Sequence, residues 1–239
     1  MLTSIKKIRP AMLMAAIACF VVNQPAQATA QCSEQDLFCP AVAANDLAHT
    51  LDTFPVPTIT SPNTAFAVGE FAVSKPITRT VTYTVTTKGQ TAIDQPTFLS
   101  QVQTILDDPR GWSRLGLRFA YDPHGGAFTV VLSPAGEVPG FGSPCDTVYN
   151  CNVGNYVVVN EDRWLYATKP WNDAGGNIRD YRHLVINHEL GHWLGHGHPV
   201  CKGVGQAAYV MMQQSIELGG CKFNAWPLDS EIWSTTLGI

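Results

Sequence analysis

The first clean pattern runs from residue 77 to 85. Ile77, Val81, Tyr83 and Val85 fall on one face with Arg79, and Thr78, Thr80, Thr82 and Thr84 fall on the other. Alternation with a period of two predicts a half-buried strand. A helix is expected next. Asp94 stands where a cap belongs and Pro96 suits a first turn. Leu99, Val102, Ile105 and Leu106 form an apolar stripe that ends before Pro109. Leu117 to Tyr121, Phe128 to Leu132 and Tyr156 to Val159 read as three more strands. A second helix is expected from about Asp180 to Leu194, and a short one near Leu228 to Trp233 with Asp229 as its cap. The order β-α-β-β-β-α, followed by loops and a last short helix, predicts an α+β domain.

The ends of the chain read differently. Lys6, Lys7 and Arg9 precede the apolar stretch Ala11 to Val22, and Ala28-Thr29-Ala30 is a small-x-small site. That stretch is too short to span a bilayer comfortably. Residues 1–30 are therefore expected to be a secretory signal peptide, with the product secreted and no membrane contact after its removal. Residues 31–75 carry Pro55, Pro57, Pro62 and many Thr, Ser and Ala residues. They read as a lead-in, a surface wrap or a removed pro-segment. Residues 76–239 hold the patterned strands and helices and are expected to form the folded domain. The formal charge of −4 argues against nucleic acid as a partner, since that requires a basic stripe.

Cys19 lies in the leading segment, which leaves Cys32, Cys39, Cys145, Cys151, Cys201 and Cys221. An even number in an exported chain implies disulfides. Close spacing favours Cys32–Cys39, Cys145–Cys151 and Cys201–Cys221, although spacing alone leaves the connectivity open. No C-x-x-C occurs, so a cysteine-held zinc site is disfavoured.

The chemistry is concentrated in Asn187 to His198, N-H-E-L-G-H-W-L-G-H-G-H. On a helix, residues four apart lie about 40° apart around the axis and one turn apart along it. His188 and His192 therefore grip one ion. Glu189 sits one position round, suited to a water on the metal and not to the ligand set. Ile186, Leu190 and Trp193 make an apolar stripe on the other side, and Gly191 allows close packing.

His196 and His198 compete for the third ligand position. Eight helical residues rise about 12 Å, too far for His188 and His196 to share an ion at a bond length of about 2.1 Å. Gly195 stands where a left-handed, helix-ending residue is wanted, and Gly197 eases the return of the chain. His198 is thus assigned to the metal and His196 is left exposed or behind the ligands. Three imidazoles leave a position open, as a catalytic zinc requires.

The extended motif H-E-x-x-H-x-x-G-x-x-H resembles the metzincin clan of zinc peptidases. More narrowly, Gly111-Trp112, Phe119, the histidine motif, Cys201, V-M-M-Q-Q and Cys221 before Trp226-Pro227 resemble a family of secreted bacterial zincin-like domains. The resemblance implies a metzincin-like zincin fold: a mixed sheet, a backing helix, an active-site helix, and a C-terminal subdomain with a methionine turn. It also implies one catalytic Zn2+. Tyr209 to Gln214 is the candidate turn, with Met212 preferred because it lies between an apolar and a polar neighbour, and Met211 nearly as good. In that clan an edge strand above the active-site helix holds substrate extended, and Tyr156 to Val159 is the candidate. Some members place a tyrosine just after the methionine turn. Gln213 and Gln214 stand there in this chain, so the group that helps zinc stabilise an oxyanion is open.

The expected function is that of a secreted zinc-dependent endopeptidase acting on an extended peptide or protein, with Glu189 as general base. Two other readings share the motif: a zinc amide hydrolase acting on cell-wall peptide, and a binding module that keeps metal without catalysis. An intact Glu189 speaks against the last.

Overall fold

A computed structural model describes residues 71–239. The expected signal segment, the Cys32–Cys39 pair and nearly all of the 31–75 lead-in lie outside the described residues.

β1 (Arg79–Thr87) buries Val81, Tyr83 and Val85 on its inward face, as the alternation requires. Ile77 is 59% exposed and lies before the strand, so the inward face begins at Val81. α1 (Gln95–Leu106) starts where Asp94 accepts the Thr97 amide at 2.7 Å. Its inward face carries Phe98, Val102, Ile105 and Leu106. β2 (Leu117–Tyr121), β3 (Phe128–Ser133) and β5 (Tyr156–Asn160) agree with the expected strands to within a residue or so.

One strand has no counterpart in the pattern. β4 (Cys151–Val153) is short and does not alternate; it is folded back onto β5 by a turn in which Gly154 takes φ 56°. The sheet order is β2-β1-β3-β5-β4. The β2–β1, β1–β3 and β3–β5 pairings are parallel and β4–β5 is antiparallel, so the sheet is mixed. This corrects the choice of Tyr156 to Val159 as an edge: β5 is flanked on both sides, and β4 is the free margin at that end of the sheet. A parallel strand buried on both faces reads as a continuous apolar run, and Val157, Val158 and Val159 are all fully buried.

The two faces of β5 serve different clusters. Val157 and Val159 join the main core with Phe98, Trp112, Trp164 and Leu190. Val158 packs on the other side against Val138, Cys145 and Cys151. Two short helices, α2 (Glu161–Tyr166) and α3 (Lys169–Asp173), lead into α4 (Ile178–Trp193). α4 begins two residues before the expected start because Asn177 is the cap, accepting the Asp180 amide at 2.8 Å. Beyond α4, only the short 3-10 turn Asp229–Glu231 is regular among the described residues. The expected helix near Leu228 is thus a single turn. Asp229 does not cap it, because its carboxylate accepts the Ala72 and Val73 amides and pairs with Arg114.

Among the described residues two disulfides are present, Cys145–Cys151 and Cys201–Cys221. No helix among the described residues is long and apolar enough to cross a membrane.

Candidate metal centre

α4 is buried along most of its length, with Ile186 and Leu190 facing the core. His188 and His192 emerge together one turn apart, their ring centroids 4.8 Å from each other. The helix then ends in a Schellman motif. The Gly195 amide donates to the His192 carbonyl at 2.9 Å, and the His196 amide donates to the Gly191 carbonyl at 3.0 Å. Gly195 has φ 101°, a conformation that favours glycine. A side chain there would also overlap the Thr235 hydroxyl. The chain reverses and returns His198, whose ring lies 4.6 Å from that of His192 and 5.1 Å from that of His188.

The three histidines offer ligand atoms that all lie within 4.8 Å of one another. The Nε2 atoms of His188 and His198 are 3.2 Å apart. Two nitrogens bound tetrahedrally to one ion at about 2.1 Å each stand about 3.4 Å apart. The His188–His198 pair is already at that spacing, and the three histidines together are close enough to hold one metal ion.

Two of the rings have their tautomer set by backbone carbonyls. His188 Nδ1 lies 2.8 Å from the Val210 carbonyl, and His192 Nδ1 lies 2.9 Å from the His196 carbonyl. A carbonyl only accepts, so each Nδ1 carries the hydrogen and each Nε2 presents a lone pair inward. Burial, reinforced by the neighbouring rings, lowers the His188 pKa to about 3. His192 and His198 are lowered mainly by burial as well. The neutral, metal-binding form is thus the resting form.

Glu189 faces the same cleft, 6% exposed. Burial pushes its carboxyl up to about 8, and a divalent ion held by the three histidines would draw it back down to the carboxylate form that a base requires. Its carboxylate accepts no hydrogen bond from the described residues, which leaves it free for a ligand in the cleft.

The cleft has a volume of about 380 Å³. Its upper wall is Asn150, Cys151 and Asn152, at the free margin made by β4; its lower wall is Met212 to Ile216. Two residues of β4, Cys151 and Asn152, and the three histidines therefore line one cavity.

His196 differs from one expectation. It is buried rather than exposed: its ring lies between Trp112 and Trp233, and its Nε2 meets the Trp233 carbonyl at 2.9 Å. Its own carbonyl holds His192. Met211 and Met212 divide the expected turn between them. Met211 lies beneath α4, where any side chain at Gly191 would overlap its sulfur and crowd Trp112. Met212 lines the cleft and packs with Ala208 and Cys221. Gln213 is exposed in the cleft wall. Gln214 is committed elsewhere, to the Tyr209 and Asn224 carbonyls and the Asn224 amide. Tyr209 lies under the Lys202 amine and is not part of the cleft wall. The Val210 and His196 carbonyls escaped sequence reasoning because every residue has a carbonyl, and only the fold selects one.

Comparison with curated proteins and with solved structures gave no match. The family described as "Protein of unknown function (DUF3152)" matches residues 62–232, most of the chain, and the chain belongs to that family.

Proposed function

We propose that this chain is a secreted zinc metallopeptidase of the metzincin type that cuts peptide bonds in a protein substrate held extended along β4. One observation carries the reading: three neutral imidazoles converge within a cleft that also contains Glu189, a carboxylate with no partner among the described residues. A structural metal site has four protein ligands and needs no base beside it. This centre offers three ligands and one base. Among first-row metals an imidazole set suits several ions, and zinc is the one that matches a peptidase motif of this form.

Zinc at this centre would supply Lewis-acid chemistry towards water and towards an amide carbonyl. His188, His192 and His198 would hold it. Glu189 takes the proton of the attacking water and later hands it to the leaving amine nitrogen. The backbone of β4 offers amides and carbonyls at the cleft margin, and a peptide strand laid there completes the ladder. The turn at Met211 and Met212 supports α4 from below, in the manner of a methionine turn.

The test starts from the purified chain. Elemental analysis is expected to give one zinc per molecule, and a peptide library is expected to be cleaved while cell-wall fragments are not. Glu189→Ala is expected to keep its zinc and lose at least about 10²-fold in rate. Unimpaired cleavage by that variant would end the proposal. Secretion is checked separately, by whether the protein in culture medium begins at Gln31.

A further inference from the structure

A buried acid outside the cleft has no task in the chemistry described so far. Glu231 is 3% exposed and forms no ion pair among the described residues. Its Oε2 accepts the amides of Leu228 at 2.8 Å and Val210 at 3.1 Å, and its Oε1 accepts the Met211 amide at 3.0 Å. Burying a carboxylate is costly unless hydrogen bonds compensate, and three amides do so here.

The choice of amides is informative. Val210 and Met211 are the two residues that brace α4 at the metal. The Val210 carbonyl takes the Nδ1 hydrogen of His188 at 2.8 Å, and the Met211 side chain fills the space under Gly191. The two oxygens of one carboxylate clamp both residues from behind. This segment has no ladder of its own to hold it.

We propose that Glu231 is a positioning residue for the metal: by fixing the Val210–Met211 turn it sets the orientation and tautomer of His188. It acts through backbone and touches neither metal nor substrate. The proposal rests on the metal centre of the metallopeptidase reading.

A matched control exists within the same chain. Glu161 is also a buried carboxylate accepting backbone amides, those of Ala92 and Ile93, and neither residue contacts a ligand histidine. Glu231→Gln and Glu161→Gln would each be loaded with Zn2+ for chelator competition and with Co2+ for visible absorption spectra. Both variants are expected to melt lower than the wild type. Only Glu231→Gln is expected to lose tenfold or more in Zn2+ affinity, about what disturbing an outer-sphere partner costs, and to shift its Co2+ bands. If Glu231→Gln does not fold, Glu231→Asp, which keeps the charge and shortens the reach, is expected to show the same loss. Wild-type affinity and an unchanged Co2+ spectrum in the folded Glu231 variant would overturn the positioning role and leave the metallopeptidase reading intact. A wild-type chain that takes up neither ion would overturn both.

Discussion

From β1 to β5 the chain satisfies its backbone against itself, strand by strand. From Leu194 onward it does so through short turns tied together by buried side chains. The first region has five paired strands and a continuous apolar cluster. The second has a single isolated bridge, Ala207 to Lys222, and one 3-10 turn among the described residues. In place of ladders it has Asn224, which donates to the Ala208 and Trp226 carbonyls and accepts the Trp226 amide. Gln214, Ser234 and Glu231 act likewise, each bonding backbone from a buried position. α4 lies at the seam: its core face belongs to the first region, and the second region supplies the Val210 carbonyl, the returning His198 and the lower wall of the cleft. Loops built this way have no alternative partner for their buried amides. Losing one side chain there orphans several backbone groups at once, whereas losing one core methyl group in a sheet costs only packing.

The strongest test of that contrast is Asn224→Ala. It leaves at least two buried backbone groups unpaired, at about 1–3 kcal/mol each. A loss of about 4 kcal/mol is expected in urea unfolding, together with weaker metal retention. A loss below about 1 kcal/mol would show that the C-terminal region does not depend on such side chains.

Next come the two disulfides, one in each region. Opening Cys201–Cys221, separated by 20 residues, removes a chain-entropy constraint of about 3 kcal/mol. Opening Cys145–Cys151, separated by 6, removes about 2 kcal/mol. The sharper distinction is in the metal. Cys201→Ser with Cys221→Ser is expected to weaken zinc retention, since the bridge brackets the Met211–Met212 turn. Cys145→Ser with Cys151→Ser is expected to leave it unchanged. Equal zinc affinity in both double variants would erase the distinction.

A smaller effect concerns pH. His183 sits on α4 against Trp226, 4.9 Å between rings, and burial lowers its pKa from 6.5 to about 4. The unfolded chain binds the proton more tightly, so the stability due to this residue is complete above pH 6.5 and declines as pH falls toward 4. Between pH 7 and pH 5 the decline amounts to about 2 kcal/mol. His183→Gln should show a shallower acid limb by that amount, measured by denaturant titration at both pH values. Identical slopes would remove His183 from the account.

The smallest expected change is at the seam itself. Gly191→Ala would gain up to about 1 kcal/mol of helix propensity. It would also push a methyl group into Met211 and Trp112, at a cost of about 1–3 kcal/mol. A net loss of about 1 kcal/mol is expected in thermal unfolding; a stabilised variant would mean that Met211 moves aside freely.

The sequence by itself determined a good deal. Alternation marked β1, an apolar stripe marked α1, and H-E-x-x-H spacing set His188 and His192 on one helical face. The reach of a helix excluded His196 from sharing an ion with His188, and Gly195 pointed to the break that returns His198. These are properties of local geometry, and they survive in any context that lets the helix form. Tertiary structure alone decided the rest. Whether Tyr156 to Val159 was an edge depended on β4, three residues without a periodic signature. Which methionine lies beneath the helix depended on the space at Gly191. Which carbonyl fixes His188, and which carboxylate holds that carbonyl in place, depended on chain segments more than twenty residues apart meeting through hydrogen bonds. Periodicity records which side of a segment is buried; it carries no record of what the buried side meets.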